Sequence, residues 1–529
     1  FMERDLNHYL AEGFEVNEVL ASVLHSVHEN YLLKVATESR IGDVIFFQGA
    51  TAKNRALVAA FEQRLNKPIL VSRFCHLTGA LGTALTILDD RQAAADPDPT
   101  RFRGIGLYRE KIPVRSEVCE LCTNHCKLSV AEVAGEQVAY GFLCGRDYDT
   151  KKFVKADTGA FDLIDQRKKA FRFQSENRKH RWPVIGIPAA VHLVEDLAMW
   201  QKFFDRLGFR TVTSERFTDA IKAGKKLTGA EFCAPITALH GHADYLLDRC
   251  DYVFMPFYME DRERERGTRR QFCYYTQWAP ALASMADPRH RAKFLTPLVR
   301  YLYTSFHTRM ELYRMLNGIP GCSVNFLEVS AAYDSAVKFH KESQKKLNEA
   351  YRRHLTKPGS DIRIALLGRP YTIFSPALNS GIPELFRRHG IDCAYQSMLE
   401  ESPCDRTDIQ PLLNELPWRF ASRVLAAARQ IAATPGVYPV LITSFKCSPD
   451  SFAQEYFKSI MADYDKPYLI LELDEHDSAV GYETRIEAAV RAFRNHQAAT
   501  EIARQRSLKP LNPNLAGNPT GKTIVLPNW

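Results

Sequence analysis

The sequence predicts an α/β protein in which parallel β-sheets are covered by helices. In the middle of the chain, apolar segments of strand length alternate with amphipathic segments of helix length, which is typical of parallel sheets with helical crossovers. The same alternation recurs in a later stretch, and this repetition indicates two units of one architecture. Apolar residues make up 45% of the 529 positions, which is enough for several buried cores.

The first repeated unit is predicted over residues 183–355. It opens with a strand at 183–187, a helix at 193–207 that Gly208 ends, and a second strand at 209–213. Its other expected elements are a buried strand at 251–256 and a helical segment at 287–355. The order of strand, helix and strand favours a Rossmann-like parallel sheet.

The second repeated unit is predicted over residues 360–500 and has the same order of elements. Its expected elements are a strand at 362–367, a helix at 382–389 and strands at 437–443 and 467–472. Residues 505–529 contain Pro, Gly and Asn before a final apolar strand. They are interpreted as a linker and the start of a further module that the sequence cuts short.

The amino-terminal stretch, residues 1–92, reads as alternating helices and strands. A buried strand at 43–47 leads into a turn of small residues at 48–54 and then into a helix at 55–65. Gly49 allows a ligand to approach the backbone of this turn closely, although such a turn is by itself more often a tight connection. The segment that follows is rich in Ala, Asp and Pro and is expected to be a linker.

A compact four-cysteine module is predicted at residues 101–150. Its spacing is C-x2-C-x3-C with a fourth thiol further on, at Cys119, Cys122, Cys126 and Cys144. Two alternating strands before the last cysteine predict a β-hairpin that returns it to the other three. Four thiolates placed in this way hold either structural zinc or a 4Fe-4S cluster, and the spacing leaves both open. Residues 151–182 are charged and poorly periodic, and they are interpreted as a connector.

Three further cysteines are predicted at the boundaries between strands, loops and helices. Cys233 opens a helix-like run, Cys273 lies in a loop after the strand at 251–256, and Cys447 follows the strand at 437–443. Ligands gather at the carboxyl ends of parallel strands, so the three thiols can converge on one site. The alternative for each is an ordinary buried cysteine that packs as a small apolar residue.

Several motifs in the two predicted units occur together in a known family. Residues 231–242 read Glu-Phe-Cys-Ala-Pro-Ile-Thr-Ala-Leu-His-Gly-His, and residues 445–452 read Phe-Lys-Cys-Ser-Pro-Asp-Ser-Phe. Shorter motifs lie at 185–188, 368–371, 473–476 and 484–485. With Cys273, these motifs resemble the 2-hydroxyacyl-CoA dehydratase-related proteins, in the branch that is fused to the ATPase activating such dehydratases. The resemblance covers residues 183–495.

This resemblance implies a low-potential iron-sulfur site. In that family three cysteines hold a 4Fe-4S cluster and leave one iron for a non-protein ligand, and the implied ligands here are Cys233, Cys273 and Cys447. Relatives with a double-cubane cluster imply that the site can hold a larger cluster. The implied partners are a low-potential electron donor such as ferredoxin or flavodoxin, and an acyl-CoA or other small-molecule substrate.

Polar residues near these motifs are the candidates for catalysis. His240 and His242 lie near the start of the helix after Cys233, and they are predicted either to supply protons or to be capping or core histidines. Arg369 is predicted to form a structural pair or to act in catalysis. Glu475 ends a strand, where a polar group can face the cleft.

The amino-terminal stretch carries a second resemblance, at residues 46–54 and 76–85. These segments read Phe-Phe-Gln-Gly-Ala-Thr-Ala-Lys-Asn and His-Leu-Thr-Gly-Ala-Leu-Gly-Thr-Ala-Leu. They are similar to the last part of the activator ATPase, which has the actin/Hsp70/sugar-kinase fold. That part packs on adenosine, which implies cofactor contacts at Gly49, Ala50 and Asn54. The resemblance also implies that the complete protein binds ATP, that the phosphate-binding part precedes this sequence, and that the ATPase part forms a homodimer.

These observations lead to one hypothesis of function and one alternative. The chain is predicted to be the iron-sulfur component of an ATP-dependent low-potential reductase or dehydratase system, passing electrons to a cluster with an open iron. The alternative is a non-catalytic scaffold or electron-delivery partner that binds zinc or a cluster.

Composition and motif content also bear on two other classes of function, nucleic-acid binding and membrane association. The net charge of +8 arises largely from local runs, and no nucleic-acid-binding motif is present. No apolar run reaches the roughly 18 residues of a membrane helix, so no membrane association is expected. With no signal peptide in view, a cytoplasmic protein is expected.

Overall fold

The computed structural model describes residues 3–508 with internal gaps. The gaps are 35–40, 94–103, 119–126, 134, 142–158, 176–180, 231, 263–268, 287, 302–303, 357–360, 400–406, 445 and 474–478. The chain divides into two compact units, Phe1–Ile112 and Pro113–Trp529. Both contain parallel strands between helices, so the prediction of an α/β protein is confirmed.

The first unit is small, and its two strands pair in parallel. Its described elements are α1 (Glu3–Ala11), α2 (Val16–Lys34), β1 (Ile45–Phe47), α3 (Arg55–Leu65), β2 (Ile69–Val71) and α4 (Thr78–Ala93). Ile45 lies opposite Ile69 in the ladder, and Leu57 and Phe61 of α3 form a small core with Leu32 of α2. The helix predicted at 55–65 is observed at these residues, whereas β1 is shorter than the strand predicted at 43–47.

The second unit opens with a three-stranded antiparallel sheet. Its strands are β3 (Val114–Val118), β4 (Lys127–Val133) and β5 (Glu136–Tyr140), in the order β3-β4-β5. β4 and β5 form a hairpin over the segments where the sequence predicts two strands. β3 is not predicted, because its five residues are largely exposed and carry little apolar pattern. The cysteines of the predicted module, Cys119, Cys122, Cys126 and Cys144, lie outside the described residues.

Residues 185–355 form what we call the first half, which is built on a parallel sheet. Helix α5 (Leu163–Ala170) precedes this half. The first elements of the half are β6 (Ile185–Ile187), α6 (Leu193–Arg206), β7 (Thr211–Thr213), α7 (Ala220–Lys225) and α8 (Ala234–Leu247). The remainder are β8 (Tyr252–Phe254), β9 (Phe257–Tyr258), β10 (Glu260–Arg262), β11 (Arg269–Gln271), α9 (Tyr274–Gln277), α10 (Ala279–Ala286), β12 (Phe294–Leu295), β13 (Leu298–Arg300), α11 (Ser305–Asn317) and α12 (Phe326–Leu355). The main sheet has the order β12-β8-β6-β7, and Trp200, Phe203 and Phe204 of α6 are buried in its core.

The helical segment predicted at 287–355 differs from the structure at its beginning. There the chain forms two short strands, and β12 adds to the edge of the parallel sheet by pairing with β8. These strands have two and three residues. Segments of this length cannot show the period-two alternation by which a strand is recognised.

Residues 363–508 form the second half, also built on a parallel sheet. Its elements are β14 (Arg363–Gly368), α13 (Pro370–Phe374), α14 (Ile382–Arg388), β15 (Asp392–Tyr395), α15 (Gln410–Glu415), α16 (Arg419–Ala432), β16 (Val437–Ser444), α17 (Ser448–Asp463), β17 (Leu469–Leu473) and α18 (Ala479–Leu508). The strand order is β15-β14-β16-β17, and all eight residues of β16 are buried. A central parallel strand is covered on both faces, which explains its nearly continuous apolar sequence.

Two glycines allow α7 and α8 to pack with their backbones in contact. A Cβ atom on Gly224 of α7 would lie 1.8 Å from the carbonyl oxygen of Thr237. A Cβ on Gly241 of α8 would lie 2.0 Å from the carbonyl oxygen of Ala220. Because no side chain fits at either position, this contact fixes the position of α8, the helix that begins directly after Cys233.

Candidate functional site

Cys233, Cys273 and Cys447 each occupy the residue immediately before a helix. They precede α8, α9 and α17, and the backbone of all three is extended, with ψ of 151°, 152° and 95°. Pro235 and Pro449 lie in the first turns of α8 and α17, where a missing N–H has no cost. The chain therefore turns sharply at each thiol.

The three cysteines line one cavity of about 380 Å³. Cys233 and Cys273 come from the first half, whereas Cys447 comes from the second half. Arg369 and Tyr371, from the turn after β14, also line this cavity. The convergence that the sequence suggested for the three thiols is thus observed at this cavity, where Cys447 follows β16 and Cys273 follows the short strand β11.

Hydrogen bonds fasten the loop that carries Cys273 to the second half. The guanidinium of Arg270 donates to the carbonyl of Leu416 at 2.7 Å. The neighbouring Gln271 donates its backbone N–H to the carbonyl of Pro417, also at 2.7 Å. These contacts cross between the halves two and three residues before the thiol, so they set the position of Cys273 relative to the second half.

Burial opposes ionisation of two of these thiols, Cys233 and Cys447. It raises the pKa of Cys233 to about 11, an effect that the nearby Cys273 strengthens and Arg369 weakens. Burial likewise raises the pKa of Cys447, again against the effect of Arg369. Buried neutral thiols are poor nucleophiles, whereas a bound metal deprotonates them outright. Cys233 and Cys447 are therefore not activated as nucleophiles in the folded chain.

The sulfur atoms of the three cysteines are not gathered closely around one point. The three sulfurs do not all lie within 4.8 Å of one another. Sulfurs around one zinc ion are about 3.8 Å apart, given a Zn–S distance of about 2.3 Å and tetrahedral geometry. In the described part of the chain, the side chains that do meet the closer spacing are His389, Glu483 and Glu487, which are not cavity residues.

Arg369 is a buried cation beside the three thiols, and it is held by an ion pair. Its Nε and Nη2 atoms donate to both carboxylate oxygens of Asp450 at 2.7 to 3.1 Å. Asp450 also accepts from the Thr443 hydroxyl at 3.0 Å. The Nη1 atom of Arg369 donates to the phenolic oxygen of Tyr371 at 3.1 Å. The structural pair predicted for Arg369 is therefore present, and it places positive charge beside Cys447 in the cavity wall.

Unusual backbone conformations lie around the cavity. Val191 and Lys446 line it with φ of 38° and 65°. A β-branched residue such as valine rarely adopts a positive φ. Gly368, just before Arg369, has φ of 146°, and a Cβ there would lie 2.4 Å from the carbonyl oxygen of Ile442. The close approach of β14 to β16 at this point thus requires glycine.

His240 and His242 are buried in α8 and are not among the cavity residues. The Nδ1 atom of His240 lies 2.9 Å from the carbonyl oxygen of Ile236, one turn earlier, and its ring stacks on Phe232. These contacts match the core-histidine alternative that the sequence left open. Participation of either histidine in proton supply stays a prediction.

Because His242 is buried, the stability of the folded chain is expected to fall between pH 7 and pH 5. Burial lowers the pKa of His242 to about 4, below its ordinary 6.5. The unfolded chain therefore binds a proton in this window that the folded chain does not, and folding loses about 2 kcal/mol by pH 5. Denaturant unfolding at both pH values should show a loss smaller by this amount in His242→Gln. Equal losses in the two proteins would contradict the prediction.

The predicted nucleotide contacts belong to the first unit. Gly49 has φ of 94° and donates its N–H to the carbonyl of Cys75 at 2.8 Å, and Ala50 begins a short 3-10 helix. The Asn54 side chain caps α3 by accepting from the N–H groups of Ala56 and Leu57. These contacts account for the conformation of the turn, and adenosine binding there stays a prediction. Glu475 lies outside the described residues.

Sequence reasoning did not single out Asp450, Thr443, Val191 or Lys446. The signal for Asp450 was available, because an acidic residue in the first turn of a helix directly after a cysteine is easily read from the sequence. The sequence carries no signal for its pairing with Arg369, since the two residues are brought together only by the neighbouring positions of β14 and β16 in the sheet.

No helix in the described part of the chain combines the length and the apolar character needed to span a membrane.

Comparison with known proteins gives a class for the central part of the chain. Residues 184–399 match the family model of the CoA enzyme activase uncharacterised domain (DUF2229). This match relates the first half and the beginning of the second half to a CoA enzyme activase family. It includes Cys233, Cys273, Arg369 and Tyr371 and ends before Cys447.

The individual proteins that are similar to this chain give little further information about its class. The uncharacterized protein MJ0800 of Methanocaldococcus jannaschii is 35% identical over 82 residues, which are 16% of this chain and 20% of that protein. The chain thus spans about a fifth of the length of this curated relative. Among solved structures, tagatose-6-phosphate ketose/aldose isomerase from Escherichia coli aligns over 64% of this chain and 86% of that one, with 10% identity and a TM-score of 0.16. A similarity this low supports no conclusion.

Proposed function

We propose that this chain is the iron-sulfur component of a CoA enzyme activase-related reductase system, with a 4Fe-4S cluster bound by Cys233, Cys273 and Cys447. The observation that carries the proposal is the arrangement of these thiols, which come from two halves of the chain to one cavity. The match of residues 184–399 to the activase domain supports the reaction class.

The chemistry of the site fits such a cluster. Three thiolates leave one iron of a four-iron cluster without a protein ligand, and the cluster supplies one-electron chemistry whose potential depends on charge and hydrogen bonds around it. Two of the helices that follow the cysteines, α8 and α17, have 14 and 16 residues. The N–H groups at the start of such helices favour negative charge, which three thiolates bring.

The residues around the thiols have separate roles in this proposal. Arg369 offsets the negative charge of the thiolates from a fixed position, because Asp450 holds its guanidinium. Tyr274 and Tyr275 line the open side of the cavity and are 64% and 45% exposed. Side chains of this kind limit the access of water to the bound group and present an apolar surface to an incoming molecule.

The wider system is proposed on the family resemblance. It consists of a low-potential electron donor such as ferredoxin or flavodoxin, an acyl-CoA or other small-molecule substrate, and ATP bound by the complete protein. The module of Cys119, Cys122, Cys126 and Cys144 is proposed to hold either a relay cluster or structural zinc. ATP hydrolysis would change the geometry between electron carriers, so that one state of the protein favours transfer in one direction.

Metal analysis of anaerobically purified protein tests the proposal. We expect iron and acid-labile sulfide in equal amounts, together with the visible absorption of an iron-sulfur cluster that bleaches on reduction. Zinc without iron after anaerobic reconstitution would instead favour the non-catalytic scaffold. A protein without any metal after reconstitution would reject both functions.

A further inference from the structure

We infer that Tyr371 is the hydrogen-bond donor of the three-cysteine cavity, with its phenolic proton directed at a sulfur atom of the group held by Cys233, Cys273 and Cys447. This inference rests on the proposed function and assigns a residue that tunes the bound group without ligating it.

The position of Tyr371 limits where its hydroxyl can point. The residue is in the first turn of α13, is 3% exposed and lines the cavity. Its ring packs edge-on against Phe420, with the centroids 6.2 Å apart. A ring held in this way keeps its hydroxyl in the wall of the cavity, away from bulk water.

The hydrogen bonds of Tyr371 leave its proton unused. Arg369 donates to the phenolic oxygen at 3.1 Å, and a guanidinium can only donate. The hydroxyl therefore acts as acceptor in this bond and still has one proton to give. Among the described residues, Arg369 is the one hydrogen-bonding partner of this hydroxyl. A buried donor without an acceptor is costly, so an acceptor supplied by the bound group is expected.

Arg369 keeps this geometry fixed because it cannot turn toward the thiols itself. Its Nε and Nη2 atoms are engaged by both oxygens of Asp450, which is held in turn by Thr443. The remaining nitrogen, Nη1, donates to the phenolic oxygen of Tyr371. Donation from the Arg369 cation polarises the phenol, which strengthens the hydrogen bond that its own proton can make.

A donor of this kind affects the bound group in a predictable direction. Hydrogen bonds to the sulfurs of an iron-sulfur cluster stabilise its reduced, more negative state and raise its reduction potential. Loss of the hydroxyl should make the cluster harder to reduce, while the three thiolates continue to hold it.

The test compares Tyr371→Phe with the wild type and with Tyr438→Phe. Tyr438 is a matched control, because it is fully buried in the second half and its hydroxyl bonds to His496, away from the cavity. After anaerobic reconstitution, iron and sulfide per chain are expected to be the same in all three proteins. The midpoint potential measured by redox titration should be more negative in Tyr371→Phe alone, with loss of one exchangeable-proton coupling in electron-nuclear double resonance of the reduced cluster.

Two results would overturn the inference. One is an unchanged potential and unchanged proton couplings in a fully loaded Tyr371→Phe protein. The other is loss of iron from a folded Tyr371→Phe protein, because the residue would then be needed to hold the group rather than to tune it. If the wild type itself takes up no iron, the proposed function fails first and this inference falls with it.

Discussion

Replacing Cys447 by alanine is expected to remove one complete cluster from the protein. Three thiolates are the fewest that can hold a four-iron cluster at three corners, and the remaining pair in the first half would leave two irons without protein ligands. Metal affinity at such sites depends on the full ligand set, so we expect iron bound at the cavity to fall to near zero rather than by a third. Cys233→Ala and Cys273→Ala should give the same result.

Cys393→Ala is the matched control for this series. Cys393 is 1% exposed, lies in β15 of the second half and does not line the cavity. Its loss should cost stability but leave iron and sulfide unchanged. Any iron held by the four-cysteine module would remain in all variants, so the quantity to compare is the difference in iron content from wild type. Wild-type iron content in Cys447→Ala, measured together with sulfide, would refute the proposed ligand set.

Replacing Arg369 by methionine is expected to destabilise the chain by about 3–5 kcal/mol, because it leaves a buried carboxylate without its partner. Asp450 is only 7% exposed, and Thr443 alone cannot balance its charge. The double variant Arg369→Met/Asp450→Asn removes both charges and should recover a large part of the loss. The measurement is denaturant unfolding of the single and double variants at pH 7, in protein without metal.

An exposed ion pair provides the comparison for Arg369. Arg494 and Asp361 lie 3.2 Å apart with side chains 47% and 55% exposed. Arg494→Met should cost less than about 1 kcal/mol, since exposed pairs are solvated and contribute little. Equal losses for the two arginine variants, or a double variant no more stable than Arg369→Met, would show that the buried pair does not have the assigned role.

The sequence predicts the parts of this fold whose patterns are long and local. Apolar segments such as 362–367 and 437–443 are observed as β14 and β16, because buried parallel strands have nearly continuous apolar sequences. The three cysteines could be placed at one edge for a related reason, since each follows a strand or opens a helix. The two-residue strand β12 gives no comparable pattern.

Contacts between residues that are far apart in the sequence cannot be predicted from local patterns. Arg369 and Asp450 meet because β14 and β16 are neighbours in the sheet, and no periodicity encodes that pairing.

For His240 and His242, the sequence left a core role and a catalytic role open. Both lie in α8, a helix buried on most sides, where small residues such as Gly241 allow close packing. A helix without a polar face gives no indication of which side meets a cavity.

The origin of the three thiols in two halves of the chain also has a consequence for synthesis. Cys233 and Cys273 leave the ribosome well before Cys447, and domains fold as units in order of emergence. During that interval the first two thiols form only an incomplete ligand set. Loading of the cavity must therefore wait until β16 has joined its sheet and Cys447 has reached its place before α17. Assembly of the proposed metal site would thus be a late event that requires both halves to have folded.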